Sequence, residues 1–440
     1  MARPAVSVSP YWELVFDADG DPDARARDRL LAGAARHGVR DLLVFAHGWN
    51  NDRPGATRLY DRFFAPVPSL APGARVGYVG VVWPAMRFAD EPIPDFPRAV
   101  AAELAPRPAL DKDTRHALLE TFPGRATVID RLARLLERRS REEAELEEFG
   151  RLVRLLVDLV PPGPQTLFAA DTLAQGAPQD APVMFDGTAA GRCEEFARAL
   201  AWLESPDAAP DASFTLPGPW EGAHELLRQA TYFAMKRRAG TVGERGLGRV
   251  IGQLAARSPG VRVHLVGHSF GGRLVSFALR GLPQGVRTVK SVTLLQGAFS
   301  HYAFSARLPH DARGGGVLQG QHHRIDGPLV CCFSRHDDAL GTMYPLASRM
   351  AGHDREFHGF DVGRALGAKW GALGFDGVQA VPGTRHLKLA EALRGPLPTA
   401  GCVNVDAAAV VRRGGPPAGA HSDIVHPELA RLVLAAGRVR

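Results

Sequence analysis

The sequence predicts an α/β protein with a doubly wound, mostly parallel sheet and a largely helical insertion. Short apolar runs such as 41–46 and 261–266 are too brief for helices and suit strands that are buried on both faces. Segments with helical spacing follow several of these runs, and such alternation implies a parallel sheet with crossover helices. A long stretch with many prolines separates the early strands from the later ones.

The core elements are predicted from apolar runs and from the turn residues that bound them. The first strand is interpreted as an edge strand that ends at a dense turn signal, Asp17-Ala-Asp-Gly-Asp-Pro22. The predicted strands are 11–16, 41–46, 76–83, 261–266, 291–295, 328–333 and 402–405. The predicted helices of the core are 23–37, 225–238, 246–257, 273–280 and 427–436.

An insertion is predicted between two core strands. Prolines scattered through 90–108 exclude regular structure there. Apolar residues within 113–160 then recur at steps of three and four, which is typical of helices with one buried stripe. We therefore divide the chain into a first part of the core at 1–89, a helical cap insertion at 90–222 and a second part of the core at 223–440.

Composition limits the possible partners. The formal net charge is +6, from 53 basic and 47 acidic residues, and no run of like charges marks a nucleic-acid surface. No stretch approaches the roughly 20 apolar residues of a membrane span, and the N-terminus lacks the apolar region of a secretory signal. Three of the four cysteines (Cys193, Cys331, Cys332 and Cys402) lie in apolar runs, which favours a reducing compartment over a disulfide scaffold. We expect a cytoplasmic protein without nucleic-acid partners or a membrane span, and the oligomeric state stays open.

The strongest local signal is Gly267-His-Ser269-Phe-Gly271. An apolar strand runs directly into this segment and an amphipathic helix follows it without a spacer. The pattern alone is weak in a chain with 48 glycines, but this context is what a sharp strand-to-helix turn carrying a nucleophilic serine requires. A Cβ at either glycine would clash as the strand and the helix close on each other. Ser269 is therefore the candidate nucleophile.

The segment Gly-His-Ser-Phe-Gly-Gly after a strand resembles the nucleophile elbow of the α/β-hydrolase superfamily. His47-Gly-Trp-Asn50, with Trp83-Pro84 at the end of the next strand, is similar to bacterial members of unassigned substrate. The resemblance covers the core and not the insertion. It implies the α/β-hydrolase fold and a triad in the chain order Ser, Asp or Glu, His. It also implies an oxyanion-hole loop, and His47-Gly48-Trp49 after an early strand is similar to that loop. The expected donors to the oxyanion are the backbone N–H groups of Trp49 and Phe270.

The resemblance places the acid at the end of a strand after the elbow. Residues 290–308 contain no Asp or Glu, so the strand at 291–295 cannot supply it. The next strand is followed by Asp337 and Asp338. Asp337 is the predicted acid and Asp338 is the alternative.

The resemblance places the base in the loop after the last strand. His421 lies in a loop that can reach back over the sheet, and it is the predicted base. His426 precedes Pro427 and is interpreted as a capping residue of the following helix. Asp423 is expected either to orient the loop or to be a simple helix-terminal charge.

These residues predict a serine hydrolase, similar to carboxylesterases and lipases, that cleaves an ester through an acyl-enzyme. Thioesters and amides remain possible substrates, and no metal or cofactor is required. Metal sites at His421, Asp423 and His426 or at His322 and His323 lack an established ligand spacing. The alternative is a non-catalytic binding protein on the same fold, because a fold alone does not establish an activity.

The insertion leaves the core between the strands at 76–83 and 261–266, which places it at the sheet edge that carries Ser269. We expect a cap whose apolar face covers the catalytic pocket and favours an apolar ester or acyl substrate. A distant structural or oligomerisation module is the other interpretation.

Overall fold

The computed structural model describes residues 6–49, 51–86, 88, 110–157, 167–173, 187–204, 218–337, 339–340, 371–414 and 419–440. Its strands are β1 (Tyr11–Val15), β2 (Asp41–Ala46), β3 (Val76–Val82), β4 (Thr172–Leu173), β5 (Arg262–His268), β6 (Val289–Leu295), β7 (Gly315–Gly316), β8 (Pro328–Phe333), β9 (Arg385–Lys388) and β10 (Gly401–Asp406). Its helices before the elbow are α1 (Ala24–Arg36), α2 (Arg53–Phe64), α3 (Val67–Leu70), α4 (Lys112–Thr121), α5 (Ala126–Arg138), α6 (Glu143–Val157), α7 (Ala189–Glu204), α8 (Pro219–Thr241) and α9 (Gly248–Arg257). After the elbow come α10 (Phe270–Gly281), α11 (Leu373–Asp376), α12 (Leu389–Arg394) and α13 (Pro427–Gly437).

Eight strands form one sheet in the order β1-β3-β2-β5-β6-β8-β10-β9, and β4 pairs with β7 apart from it. Every pairing described within the large sheet is parallel. The predicted α/β class with a mostly parallel sheet is therefore confirmed. Strand β1 lies at one edge, as expected from the sequence.

Helices cover both faces of this sheet. In β2, Leu42 and Val44 belong to one hydrophobic cluster, which includes residues of α1 and α10. Leu43 and Phe45 point to the opposite face and belong to a second cluster, which includes residues of α2 and α13. Because successive strand side chains alternate between faces, burial on both faces makes the strand apolar throughout. This is why the central strands were recognisable in the sequence.

Helices α8 and α9 form one continuous helical segment, joined by a π-helical turn over Val242–Leu247. The predicted helices at 225–238 and 246–257 both lie within this segment. The glycines of this segment allow a close contact with α10. A Cβ on Gly243 would overlap the carbonyl oxygen of Leu274, and one on Gly248 would overlap that of Ala278. Here glycine serves helix packing rather than helix termination.

The helices of the insertion pack along α8, from Trp220 near its start to Arg238, whose Nη2 donates to the Thr121 carbonyl of α4 at 2.9 Å. Trp220 meets Phe149 of α6 edge to face, with ring centroids 5.9 Å apart, and a Cβ on Gly222 would overlap the backbone of α7. Further along α8, Tyr232 lies against Phe270, the first residue of α10. At 1.5 Å per residue, the part of α8 before Tyr232 extends about 20 Å beyond the start of α10. The contacts of Phe149 and of α7 with the start of α8 therefore lie beyond the edge of the sheet at which Ser269 sits.

Some elements were absent from the sequence prediction. Helix α2 begins at an Asp52 N-cap, whose side chain accepts the N–H of Gly55. Strand β9 is largely exposed and lacks apolar alternation, so it gave no strand pattern. Helices α3 and α12 are short, with four and six residues.

Candidate active site

Strand β5 ends at His268, α10 begins at Phe270, and Ser269 alone forms the turn between them. Its φ of 54° and ψ of −122° are strained for a residue with a side chain. The N–H of Ser269 donates to the Leu295 carbonyl at 3.1 Å, which holds the turn against β6. A Cβ on Gly271 would overlap the carbonyl oxygen of Ala46, and one on Gly267 would overlap Gly271. Both glycines thus have the steric role that the sequence predicted.

The structure brings Ser269, His421 and Asp337 together. His421 Nε2 lies 3.0 Å from Ser269 Oγ, and His421 Nδ1 lies 2.8 Å from Asp337 Oδ2. The Asp337 side chain is fully buried, while 15% of the His421 side chain is exposed. Because a carboxylate only accepts, Nδ1 of His421 carries the proton and Nε2 faces the serine hydroxyl as an acceptor. This arrangement can move a proton from Ser269 to His421.

Asp337 is held by its own loop. Its Oδ1 accepts the N–H of Leu340 at 3.0 Å, and its N–H donates to the Ser334 carbonyl at 3.2 Å. Ser334 Oγ in turn donates to the Val411 carbonyl at 2.6 Å. The alternative acid, Asp338, lies outside the described residues.

The loop after β2 touches Ser269. A Cβ on Gly48 would lie 2.7 Å from Ser269 Cβ. The backbone of His47 is fixed on both sides, since its N–H donates to Tyr60 Oη at 2.9 Å and its carbonyl accepts from Trp83 Nε1 at 3.0 Å. Burial lowers the pKa of His47 to about 4, so its imidazole is neutral near pH 7. The loop is therefore anchored in the core beside the serine.

Trp49 and Phe270, the predicted oxyanion donors, lie next to each other. Their ring centroids are 6.5 Å apart, and Tyr232 of α8 contacts both rings at 5.3 and 4.5 Å. Phe88 completes this aromatic cluster at 6.1 Å from Trp49. Phe270 and Phe88 are fully buried, whereas Trp49 and Tyr232 are half-buried. The cluster gives the vicinity of Ser269 an apolar wall built from the core and from α8.

His268 is a site residue that the sequence reasoning missed. Its Nε2 lies 2.9 Å from the carbonyl oxygen of His421, 153 positions away. Burial lowers the pKa of His268 to about 3, and a positive charge on His421 lowers it further. A polar residue at the end of an apolar strand was the signal that could have singled it out.

A buried ionic cluster behind the elbow was also missed. Asp171 forms ion pairs with Arg273 of α10 and, at 2.7 Å, with Lys236 of α8. Its Oδ2 also accepts the N–H of Ser300 at 3.0 Å. No sequence pattern marks this cluster, because Asp171 lies in a Pro/Gly-rich tract far from its partners along the chain.

The remaining sequence candidates have partners of their own. Asp423 Oδ2 accepts the N–H groups of Arg412 and Arg413 at 3.0 and 2.8 Å, so it orients the loop that carries His421. His426 is the N-cap residue of α13, but its side chain contacts Asp423 at 2.9 Å and makes no cap hydrogen bond. His322 stacks on His323, with ring centroids 3.9 Å apart.

His301, in the loop after β6, is also partnered: its Nδ1 lies 3.0 Å from Asp376 Oδ2. In the part of the chain that the structure describes, no group of three or more His, Cys, Asp or Glu side chains is arranged to hold a metal ion. Within those same ranges, no helix has the length and apolar character needed to cross a membrane.

Comparison of the chain with protein-family models, with curated proteins and with solved structures gave no match.

Proposed function

We propose that the chain is a serine hydrolase of the α/β-hydrolase type that cleaves a carboxylic ester or a related acyl bond. The observation that carries this proposal is the hydrogen-bonded series Asp337–His421–Ser269, whose serine occupies a strained strand-to-helix turn. A structural serine needs neither the strain nor a histidine backed by a buried carboxylate. Their combination supports a nucleophile with its general base.

In the proposed reaction His421 Nε2 takes the proton of Ser269 Oγ as that oxygen forms a bond to the acyl carbon. His421 then gives this proton to the leaving alkoxide, and the C–O bond to the alcohol breaks. Water repeats the sequence on the acyl-enzyme and regenerates Ser269. Asp337 accepts from Nδ1 throughout, which keeps the correct tautomer and stabilises the imidazolium.

The oxyanion of each tetrahedral intermediate is assigned to the backbone N–H groups of Trp49 and Phe270. The contact of Gly48 with Ser269 supports this assignment, because it brings the loop before Trp49 within reach of the nucleophile. Phe270 follows the nucleophile and begins α10, so its N–H is among those that a helix leaves unsatisfied. Loss of one such donor costs about 3 kcal/mol in other enzymes.

The proposed substrate is a small apolar ester. The aromatic side chains of Trp49 and Tyr232 are partly accessible beside the triad, and the insertion helices lie on the same side of the sheet. This supports a cap over the site rather than a distant module. All four cysteines are buried and free, which supports the cytoplasm as the proposed location.

A fluorophosphonate probe tests the proposal, because it reacts with an activated serine and not with an ordinary hydroxyl. The folded wild type should be labelled at Ser269, and S269A should not be labelled. S276A is the matched control and should be labelled like the wild type: Ser276 is a buried serine of α10, the helix that follows Ser269, and its hydroxyl donates to the Gly272 carbonyl. If the folded wild type is not labelled, the chain is not a serine hydrolase and the non-catalytic binding protein takes its place.

A further inference from the structure

A histidine that the proposed reaction does not use lies directly beside the triad. His268 precedes Ser269 and is 5% exposed. Its ring centroid lies 5.0 Å from that of His421, and its Nε2 lies 2.9 Å from the His421 carbonyl oxygen. Because a carbonyl oxygen only accepts, Nε2 of His268 is the donor in this bond.

A second hydrogen bond reaches the same loop from the acid side of the triad. The N–H of Ala420 donates to the His336 carbonyl at 2.7 Å. His336 directly precedes Asp337, just as His268 directly precedes Ser269. The side chain of His421 thus contacts Asp337 and Ser269. The residues that precede these two, His336 and His268, form hydrogen bonds with the backbone of Ala420 and His421.

We propose that His268 is a positioning residue that fixes the backbone of His421, and through it the distance between His421 Nε2 and Ser269 Oγ. This inference rests on the proposed serine-hydrolase function. Its physical reason is that proton transfer requires the base within hydrogen-bond reach of the nucleophile. A misplacement of about 1 Å can lower a rate on the order of 10²-fold.

The surroundings of His268 suit a fixed donor. A Cβ on Gly48 would lie 3.2 Å from His268 Nδ1, so the ring lies between the loop after β2 and the loop of His421. Burial keeps the pKa of His268 at about 3, so the ring is neutral when His421 becomes an imidazolium. It therefore holds the base without adding a second positive charge.

Two substitutions separate the hydrogen bond from the packing. H268Q places an amide N–H near the position of Nε2, whereas H268L fills the space without a donor. We expect kcat for p-nitrophenyl acetate to fall about 10²-fold in H268L with little change in KM. H268Q should retain most of the wild-type kcat. H322L is the matched control, because it also replaces a buried histidine, one that stacks on His323 and not on the triad.

Proton NMR gives an independent readout. The Nδ1 proton of His421, which donates to Asp337, should give a low-field signal in the wild type and in H268Q that is shifted or lost in H268L. Thermal unfolding is measured for each variant, and H268M replaces H268L if the latter does not fold.

The inference is overturned if H268L keeps the wild-type kcat and NMR signal. It is also overturned if kcat falls as far in folded H268Q as in H268L. A wild type that hydrolyses no ester would refute the proposed function. In that case the NMR comparison alone still decides whether His268 positions His421.

Discussion

Asp171 and Arg273 form an ion pair in which the arginine side chain is fully buried and the aspartate is 8% exposed. Asp171 belongs to a segment of the insertion, and Arg273 lies one turn into α10, the helix that follows Ser269. The guanidinium also donates to the carbonyls of Phe168 and Ala170, both at 2.7 Å. One arginine therefore joins the insertion to the elbow helix.

Removal of this carboxylate should be strongly destabilising. D171A would leave Arg273 and Lys236 buried without their common counter-ion, and breaking a buried pair in this way costs about 3–5 kcal/mol. Urea unfolding at pH 7 measures the effect. D130A is the control, because the Arg115–Asp130 pair is exposed at 48% and 43% and should contribute below about 1 kcal/mol. Equal free energies of unfolding for D171A and D130A would mean that the buried cluster does not stabilise the packing of the insertion on the core.

Loss of the Asp337 charge should impair the reaction and leave substrate binding largely intact. D337N keeps the shape of the side chain but stabilises the wrong tautomer of His421. We expect kcat for p-nitrophenyl esters to drop on the order of 10⁴-fold. D338N should stay near the wild-type rate. The reverse pattern, an active D337N and an inactive D338N, would show that the neighbouring carboxylate is the acid.

Acid should destabilise the protein through its buried neutral histidines. The pKa of His47 is about 4 in the folded chain, against 6.5 for an ordinary histidine. Below pH 6.5 the unfolded state therefore binds a proton that the folded state excludes, and stability is lost progressively until pH approaches 4. At pH 5 the loss attributable to His47 is about 2 kcal/mol.

The variant H47Q isolates this contribution. Its free energy of unfolding, measured in urea at pH 7 and pH 5, should fall by about 2 kcal/mol less than that of the wild type. H116Q is the control, since 71% of the His116 side chain is exposed. If H47Q and the wild type lose the same stability between the two pH values, His47 is not the source of the acid sensitivity.

The aromatic wall should set the preference for the acyl group. Tyr232 contacts both Trp49 and Phe270, so Y232S makes this wall polar and shorter. The ratio of kcat/KM for a p-nitrophenyl octanoate over the acetate should fall about 10-fold or more. L155S, a similar change at an exposed leucine of α6, is the control. An unchanged ratio in Y232S would place the acyl group elsewhere.

The sequence was informative where burial imposes a pattern. Strands β2 and β5 are apolar because both faces are covered, and the turn at Ser269 needs glycines on either side. The helices at 225–238 and 246–257 were predicted, but their union into one segment was not, because a glycine that permits close helix packing looks the same in a sequence as one that ends a helix. The bond from His268 to His421 could not be foreseen, since it joins residues 153 positions apart through a backbone atom.

The unbroken helix from Pro219 to Arg257 has a mechanical consequence. At 1.5 Å per residue this helical segment is about 58 Å long. Its second half packs so closely on α10 that a Cβ on Gly243 or Gly248 would overlap the α10 backbone. Rotation about the connection between α8 and the core would break helical hydrogen bonds of this segment. If α5–α7 cover the proposed site, we therefore expect opening to bend the segment or to separate those helices from it.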